Sequence, residues 1–320
     1  MKIFYDLTEL EPWEKPVVTL GTFDGVHLGH QAILRKLYKA KNEKKRESLL
    51  ITYEPHPQMI VSPENSPLLL STLEEKLKLL QNIPEGKELS GILVMKFDKE
   101  LSRLTAGEFL EEIVVKKLKA GELITGENHA FGKERSGGIE LLKKASRTFD
   151  FELKVVPSIL QDKTRISSSR IRKEMLSGDF DKACQMLGHS YLISGKPVKG
   201  KGIGTEIGYP TINLEVTGKK LLPKKGVYGA EAEMVNKKYY GMMYIGRKLT
   251  LAEESLSLEI NLFDCHEDKV PDELIVYLHK WIRGEMKFES LKGLQTQLGE
   301  DEKKIRQLLI NQIKKEETCP

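Results

Sequence analysis

Cysteine is scarce in this chain: Cys184, Cys265 and Cys319 are the only three in 320 residues. Their odd number and wide separation exclude a disulfide framework and the close pairing of a zinc knuckle, and a reducing cytoplasm is the compartment expected. Long apolar runs are missing too. No stretch approaches the ~20 apolar residues of a membrane helix, and the opening MKIFYDLTELEPWEKP has acidic side chains where a signal peptide has its apolar centre. The chain is therefore expected to be untargeted and soluble. Nor is there an excess of one charge. Lys and Arg total 51 against 47 Asp and Glu, a formal net charge of +4, too small to mark a nucleic-acid or anionic-membrane surface. Any anionic ligand must be gripped locally. No internal repeat or low-complexity linker is present, and the sequence leaves the oligomeric state open.

What is present divides into two textures, and 320 residues are enough for two cores. In the first half, short apolar runs (VVTLG, SLLITY, GILVM, GELITG, FELKVV) alternate with segments of helical spacing (QAILRKLYKAK, LEEKLKLL, AGEFLEEIVVKKLK). That alternation predicts an α/β domain on a parallel sheet, with ligands beyond the carboxyl ends of its strands. After about residue 183, YLISGKPVKGKGIGTEIGYPTINLEV, GVYGAEAEMV, KYYGMMYIG and LSLEINLFD read as strands joined by glycine-rich turns, a small barrel or sandwich. The tail from Phe288 returns to helical spacing with mixed charge, the pattern of a solvated helix face. The expected domains are 1–183 and 184–320.

The densest chemistry lies in GTFDGVHLGH, residues 21–30, directly behind VVTL. Gly21, Gly25 and Gly29 let the backbone turn tightly and bring an anion near its N–H groups, and the helix that follows adds its positive end. His27 and His30, three apart, share a face from which imidazole N–H groups can reach phosphate oxygens that gain charge during reaction. The plainer reading is a tight strand-to-helix turn with two surface histidines. A Walker A loop is excluded, because the Gly-Lys-Ser/Thr ending is missing. RISSSRIRKEML, residues 165–176, supplies a second set of anion donors: a serine cluster ahead of a helical pattern, with Arg165 and Arg172 beside it. Together the two segments would grip one triphosphate from opposite sides.

G-T-F-D-G-V-H-L-G-H followed far downstream by R-I-S-S-S-R-I-R resembles the nucleotidylyltransferase superfamily. YEPHP, LLLSTLEEKLKLL, LTAGEFLEEIVVKKL, GENHAFG and GKGIGTEIGYPTINL, in that order, make the resemblance one to the prokaryotic bifunctional riboflavin kinase/FAD synthetase family over essentially the whole chain. The resemblance implies an α/β nucleotidylyltransferase domain with a Rossmann-like parallel sheet, then a small antiparallel β-barrel of riboflavin-kinase type with a C-terminal helix. It implies adenylyl transfer from ATP to FMN in the first, giving FAD and pyrophosphate, and phosphorylation of riboflavin to FMN in the second. Both would use Mg²⁺. By position, His27 and His30 would be catalytic in the first domain. ATP would be bound by these two histidines together with Gly21, Phe23, Asp24, Gly25, Gly29, Arg165, Ser168, Ser169 and Arg172. Pro55, His56, Pro57 and Asn128 would seat the flavin. In the second domain Glu259 would be the base, Gly200, Gly202 and Gly204 the nucleotide loop, and Thr211 and Asn213 the Mg²⁺ and nucleotide ligands. Small-molecule flavins and ATP are the implied partners, with no nucleic acid and no membrane.

Departures from the family pattern are His129 and Ala130 after Asn128, and, in the second half, Ile212 for alanine, Leu249 for proline, Asn261 for histidine and Cys265 for phenylalanine. DKVPDEL stands where the family has D-L-Y-G. These leave two alternatives beside the bifunctional enzyme: an FAD synthetase with a non-catalytic kinase-like domain, and a non-catalytic flavin sensor that keeps both folds. The intact His27, His30, Ser168, Ser169 and Arg172 argue against the second.

Overall fold

A computed structural model of the chain describes residues 1–133, 136–200, 202–234, 237–247, 256–267 and 269–317. Two compact units divide it, Met1–Arg170 and Ile171–Pro320.

Six parallel strands form the first unit: β1 (Lys2–Phe4), β2 (Val17–Leu20), β3 (Ser48–Glu54), β4 (Gly91–Lys96), β5 (Glu122–Gly126) and β6 (Glu152–Val156). Five are the runs read from the sequence; β1, only three residues long, is too short to show a period. The sheet order is β1-β4-β3-β2-β5-β6. Val17, Val18 and Thr19 are fully buried, as inner parallel strands covered on both faces must be, and Val18 sits in register with Leu49 of β3 and Leu123 of β5. From β2 the chain steps outward through β3 and β4, then crosses back to lay β5 and β6 on the other side. This reversal opens a crevice at the carboxyl ends of β2 and β5, the switch point where open α/β sheets hold ligands.

Helix Leu28–Lys44 follows β2 and buries Gln31, Leu34, Leu37 and Ala40. Helix Leu73–Asn82 begins with a capping box, Thr72 and Glu75 each bonding the other's backbone N–H. The AGEFLEEIVVKKLK segment departs from the single α-helix its spacing predicts. After Ala106–Phe109 it widens into a π-helix over Leu110–Lys117, which turns Phe109, Leu110, Ile113 and Val114 into the core together. The unit closes with the hairpin β7 (Leu160–Gln161) and β8 (Thr164–Arg165) and the start of helix Ser168–Ser177.

In the second unit β9 (Tyr191–Val198), β10 (Ile212–Glu215), β11 (Gly226–Met234), β12 (Lys237–Arg247), β13 (Leu256–Leu262) and β14 (Leu274–Arg283) close an antiparallel barrel in the order β10-β13-β12-β11-β14-β9. β9 pairs with both β10 and β14, which makes this a barrel and not a sandwich. The β14 sequence, LIVYLHKWIR, alternates buried and part-exposed positions and is the one barrel strand unassigned above. Helix Leu291–Glu317 packs fully buried Ile305 against Val227, Met242, Phe263 and Ile282, and the Asp301 carboxylate, 3% exposed, receives the Arg283 guanidinium at 2.7 to 3.0 Å.

Candidate active sites

In the first unit the Gly21–His30 loop leaves β2 at the switch point. Gly25 has φ +78°, a value glycine takes without strain, while Phe23 and Val26 are held at φ 48° and 41°, costly for any side chain and most for β-branched Val26. Buried polar contacts hold this conformation. The Asp24 carboxylate, 1% exposed, accepts from the N–H groups of Leu70 (3.2 Å) and Ser71 (2.9 Å), and the Gly25 N–H donates to Ser71 Oγ (2.9 Å). The Gly21 N–H continues the sheet ladder to Ile51 O at 3.0 Å. Two of the three glycine amides therefore face protein acceptors, whereas the amides of Leu28 and Gly29, at the positive end of the helix, have no protein acceptor among the described residues.

His27 is the N-cap of that helix: its Nδ1 accepts from the His30 N–H at 3.3 Å. The two imidazoles stack 3.6 Å apart, and the Phe23 ring lies 5.0 Å from His30. His30 Nδ1 is buried without a hydrogen-bond partner. Burial, then the neighbouring His27 and Lys76, hold the His30 pKa well below its ordinary value, so at neutral pH it is an uncharged imidazole with one N–H to give.

Helix Ser168–Ser177 meets this loop through Ser168, whose hydroxyl donates to the Asp24 carbonyl at 3.0 Å. Ser167 accepts from the Arg170 N–H, capping the helix start. Ser169 and Arg165 are exposed, and Arg172 follows Ser168 by one helical turn. The Arg170 side chain donates to the carbonyls of Gln161 (3.0 Å) and Thr164 (2.7 Å), fixing the hairpin that carries Arg165. Pro55, His56 and Pro57 leave the end of β3, where His56 caps helix Pro57–Val61 by accepting from the Gln58 N–H at 3.2 Å. Asn128 lies just beyond β5, exposed and donating to Ser158 Oγ at 2.8 Å; His129 stacks on Phe131.

Sequence reasoning missed Lys76. Its side chain is 5% exposed and donates to Thr52 Oγ1 (3.0 Å), which donates in turn to the Thr22 carbonyl (3.1 Å) in the loop. The available signal was a lysine on the same helical face as Leu73, Leu77 and Leu80.

In the second unit the barrel gathers a separate cluster. Asn213 of β10 and Tyr244 of β12 both stand opposite Glu259 of β13. Asn213 is buried, and its amide packs so closely on Gly200 that a Cβ there would fall 2.2 Å from Nδ2. Gly204 likewise lies against the Tyr209 carbonyl and near Thr211 Oγ1, and Gly202 takes φ +77° between them. Gly200 thus lies directly against Asn213, and Gly204 against the Tyr209–Thr211 segment. Buried Ser257, also missed from sequence, donates to Glu259 Oε1 at 2.7 Å. Tyr244 OH donates to Glu285 Oε1 at 2.9 Å, and burial, then Glu285 and Glu259, push its pKa up to about 12. Among the departures, Asn261 donates to the Pro210 carbonyl at 2.7 Å, bracing the Pro210-Thr211 segment. Ile212 pairs in register with Ile260, and Cys265 is a part-exposed free thiol. Leu249 lies outside the described residues.

The family model of FAD synthetase matches residues 9–170 and that of riboflavin kinase residues 187–309. The chain is thus a two-domain flavin-nucleotide transferase, its parallel α/β unit an FAD synthetase domain and its barrel a riboflavin kinase domain. Among similar proteins, bifunctional riboflavin kinase/FMN adenylyltransferases of Buchnera aphidicola (from Schizaphis graminum) and Escherichia coli K12 are 35% and 33% identical. The alignments cover 89% and 92% of this chain and 91% and 93% of theirs. A crystal structure from Streptococcus pneumoniae, described as a macrolide-efflux protein, superposes with a TM-score of 0.83 at 31% identity, over 95% of this chain and 98% of that one; neither matching family model describes efflux. The chain belongs to the bifunctional riboflavin kinase/FMN adenylyltransferase family and carries both of its catalytic domains.

Proposed function

We propose that the first unit transfers the adenylyl group of ATP to FMN, and that the second phosphorylates riboflavin with ATP to supply that FMN. The observation that carries the adenylyl-transfer reading is the pair of open amides at Leu28 and Gly29 beside the buried, unpartnered His30 Nδ1. The two amides are donors without acceptors at a helix N-terminus, the requirement for holding phosphate. The FMN phosphate is already an anionic nucleophile, so no base is needed. Its oxygen bonds to the α-phosphorus while the bond to pyrophosphate breaks, and the rate rests on positioning and charge stabilisation. Neutral His30 donates to the α-phosphoryl oxygens without adding a charge to be desolvated; His27 fixes the helix start and contacts the phosphates. Arg165, Ser169 and Arg172 hold the triphosphate from the second side, and Ser168 binds it while bracing the loop. Gly21, Phe23, Asp24, Gly25 and Gly29 shape the loop around ATP. Pro55, His56, Pro57 and Asn128 seat FMN.

In the barrel the nucleophile is a neutral hydroxyl and needs a base. Glu259, oriented by Ser257, takes the riboflavin proton as the hydroxyl oxygen attacks the γ-phosphorus and ADP leaves. Gly200, Gly202 and Gly204 close over the phosphates. The Thr211 hydroxyl and the Asn213 amide oxygen are hard oxygen donors, two residues apart on the segment that Gly200 and Gly204 pack against, and would hold Mg²⁺, which would supply screening of the phosphate charge. Two matched domains, and relatives named for both activities, favour two reactions over adenylyl transfer alone. Free thiols at Cys184 and Cys265 suit a reducing cytoplasm.

Single variants of the full chain test the assignment. His30→Ala is expected to slow FAD formation from FMN by about 10²- to 10³-fold while FMN formation continues; Glu259→Ala is expected to do the reverse. Loss of both activities in either folded variant would show the roles to be wrongly divided.

A further inference from the structure

Lys76 is an ammonium group with almost no access to water, one shell behind the loop assigned to ATP. It projects from helix Leu73–Asn82 into the space between β3 and the loop after β2, and its side chain is 5% exposed. Its direct hydrogen-bond partner is Thr52 Oγ1 at 3.0 Å, on fully buried Thr52, and the Thr52 hydroxyl donates in turn to the Thr22 carbonyl at 3.1 Å. The charged groups facing Lys76 are the Asp24 carboxylate of the loop and the Glu54 carboxylate at the end of β3, and His30 faces it from the helix after the loop. Nothing in the packing of a helix on a parallel sheet calls for a lysine at this position. A leucine or methionine would fill the space without the cost of desolvating a charge, and such replacements are often neutral or stabilising. A buried cation beside a strained loop is the kind of group that functional sites retain.

We propose that Lys76 is a positioning residue for adenylyl transfer, acting on the Thr22–His30 loop through the Thr52 hydroxyl and through its charge, without touching substrate. This rests on the adenylyl-transfer reading of the first unit. The relay pins the Thr22 carbonyl, immediately ahead of Phe23 and four residues before Val26, the two non-glycine residues of the loop with positive φ. The charge offsets buried Asp24 and, with burial and His27, keeps His30 uncharged. Burial lowers the pKa of Lys76 itself, while Asp24 and Glu54 oppose that shift and favour the charged form.

The test uses the full chain with Lys76→Met and, separately, Thr52→Val, which removes the relay but leaves the charge. FAD formation from FMN and FMN formation from riboflavin are measured on the same samples, together with melting temperature and the His30 titration by histidine-ring NMR. For Lys76→Met the expected result is a folded protein whose FAD-forming kcat falls by about tenfold to a hundredfold, the scale of a small misplacement of reacting groups. FMN formation should stay at the wild-type rate, and the His30 titration should move upward as a nearby positive charge is lost. Thr52→Val should lower FAD formation while leaving the His30 titration near its wild-type position. Wild-type FAD kinetics in both variants would overturn the proposal. So would an equal loss of both activities with a lower melting temperature, the mark of a merely structural lysine. A wild-type chain that makes no FAD from FMN and ATP would overturn the function reading beneath it as well.

Discussion

Two imidazoles three residues apart divide the work at the switch point. His27 spends its Nδ1 on capping the helix, whereas His30 keeps a buried nitrogen with no partner. This difference has a consequence in stability. The His30 pKa is depressed in the folded protein and returns to an ordinary value near 6.5 on unfolding, so below that pH the unfolded chain binds the extra proton and the folded state is penalised. Stability attached to His30 is complete above pH 6.5 and is lost as pH falls toward its depressed folded value. Calorimetry of His30→Gln against wild type should therefore show a shallower loss of melting temperature on acidification; identical pH profiles would contradict a buried, neutral His30. The glycine and histidine density of residues 21–30 made this pair legible in the sequence. Lys76 and Ser257 were not, because a lysine in a helical run and a serine in a strand look ordinary until their neighbours are known. The sequence reading gave these glycines a tight turn that lets an anion approach the backbone, and did not show which amides the fold uses itself: Gly21 and Gly25 give theirs to Ile51 and Ser71.

At the level of elements, the loop is held by parts distant in sequence: Leu70 and Ser71 before one helix, Ser168 at the start of another, and Thr52 on β3. Asp24 is the centre of that arrangement. Replacing it with Ala strands the Leu70 and Ser71 amides in a buried site, at a cost of on the order of 3 kcal/mol. Denaturant unfolding of Asp24→Ala should show that loss, and a change under about 0.5 kcal/mol, the range of neutral surface substitutions, would mean that Asp24 does not hold the loop. Strands β2 to β5 were legible because burial writes a nearly unbroken apolar run such as VVTL, while edge strand β6 keeps only part of that run and has no fully buried residue. β1 was too short to read, the π-helical turn at Leu110–Lys117 is not distinguished in sequence from an α-helix, and β14 went unassigned although its apolar run LIVYL was there to be seen.

For the whole molecule, the two units hold chemically different nucleophiles. In the reactions proposed, a phosphate oxygen in the first needs only donors and position, and a hydroxyl in the second needs a base, the role proposed for Glu259. The division was legible because the texture of the sequence changes from alternating strand and helix to glycine-punctuated strands. Strand spacing alone left a barrel or a sandwich; the family resemblance implied the barrel, and β9 pairing on both edges closes it. Its departures at Ile212 and Asn261 fall inside regular strands, and Asn261 forms a bond that braces the Pro210-Thr211 turn. They leave the positions of Thr211, Asn213 and Glu259 together. The measurement that tests this most directly follows riboflavin, FMN and FAD over time in purified protein with ATP and Mg²⁺, beside a reaction started from FMN. The account predicts that FMN appears first and is then converted to FAD, with FAD from both starting points. FAD from FMN alone would contradict it, leaving the barrel as a domain that keeps the fold of a riboflavin kinase without its reaction.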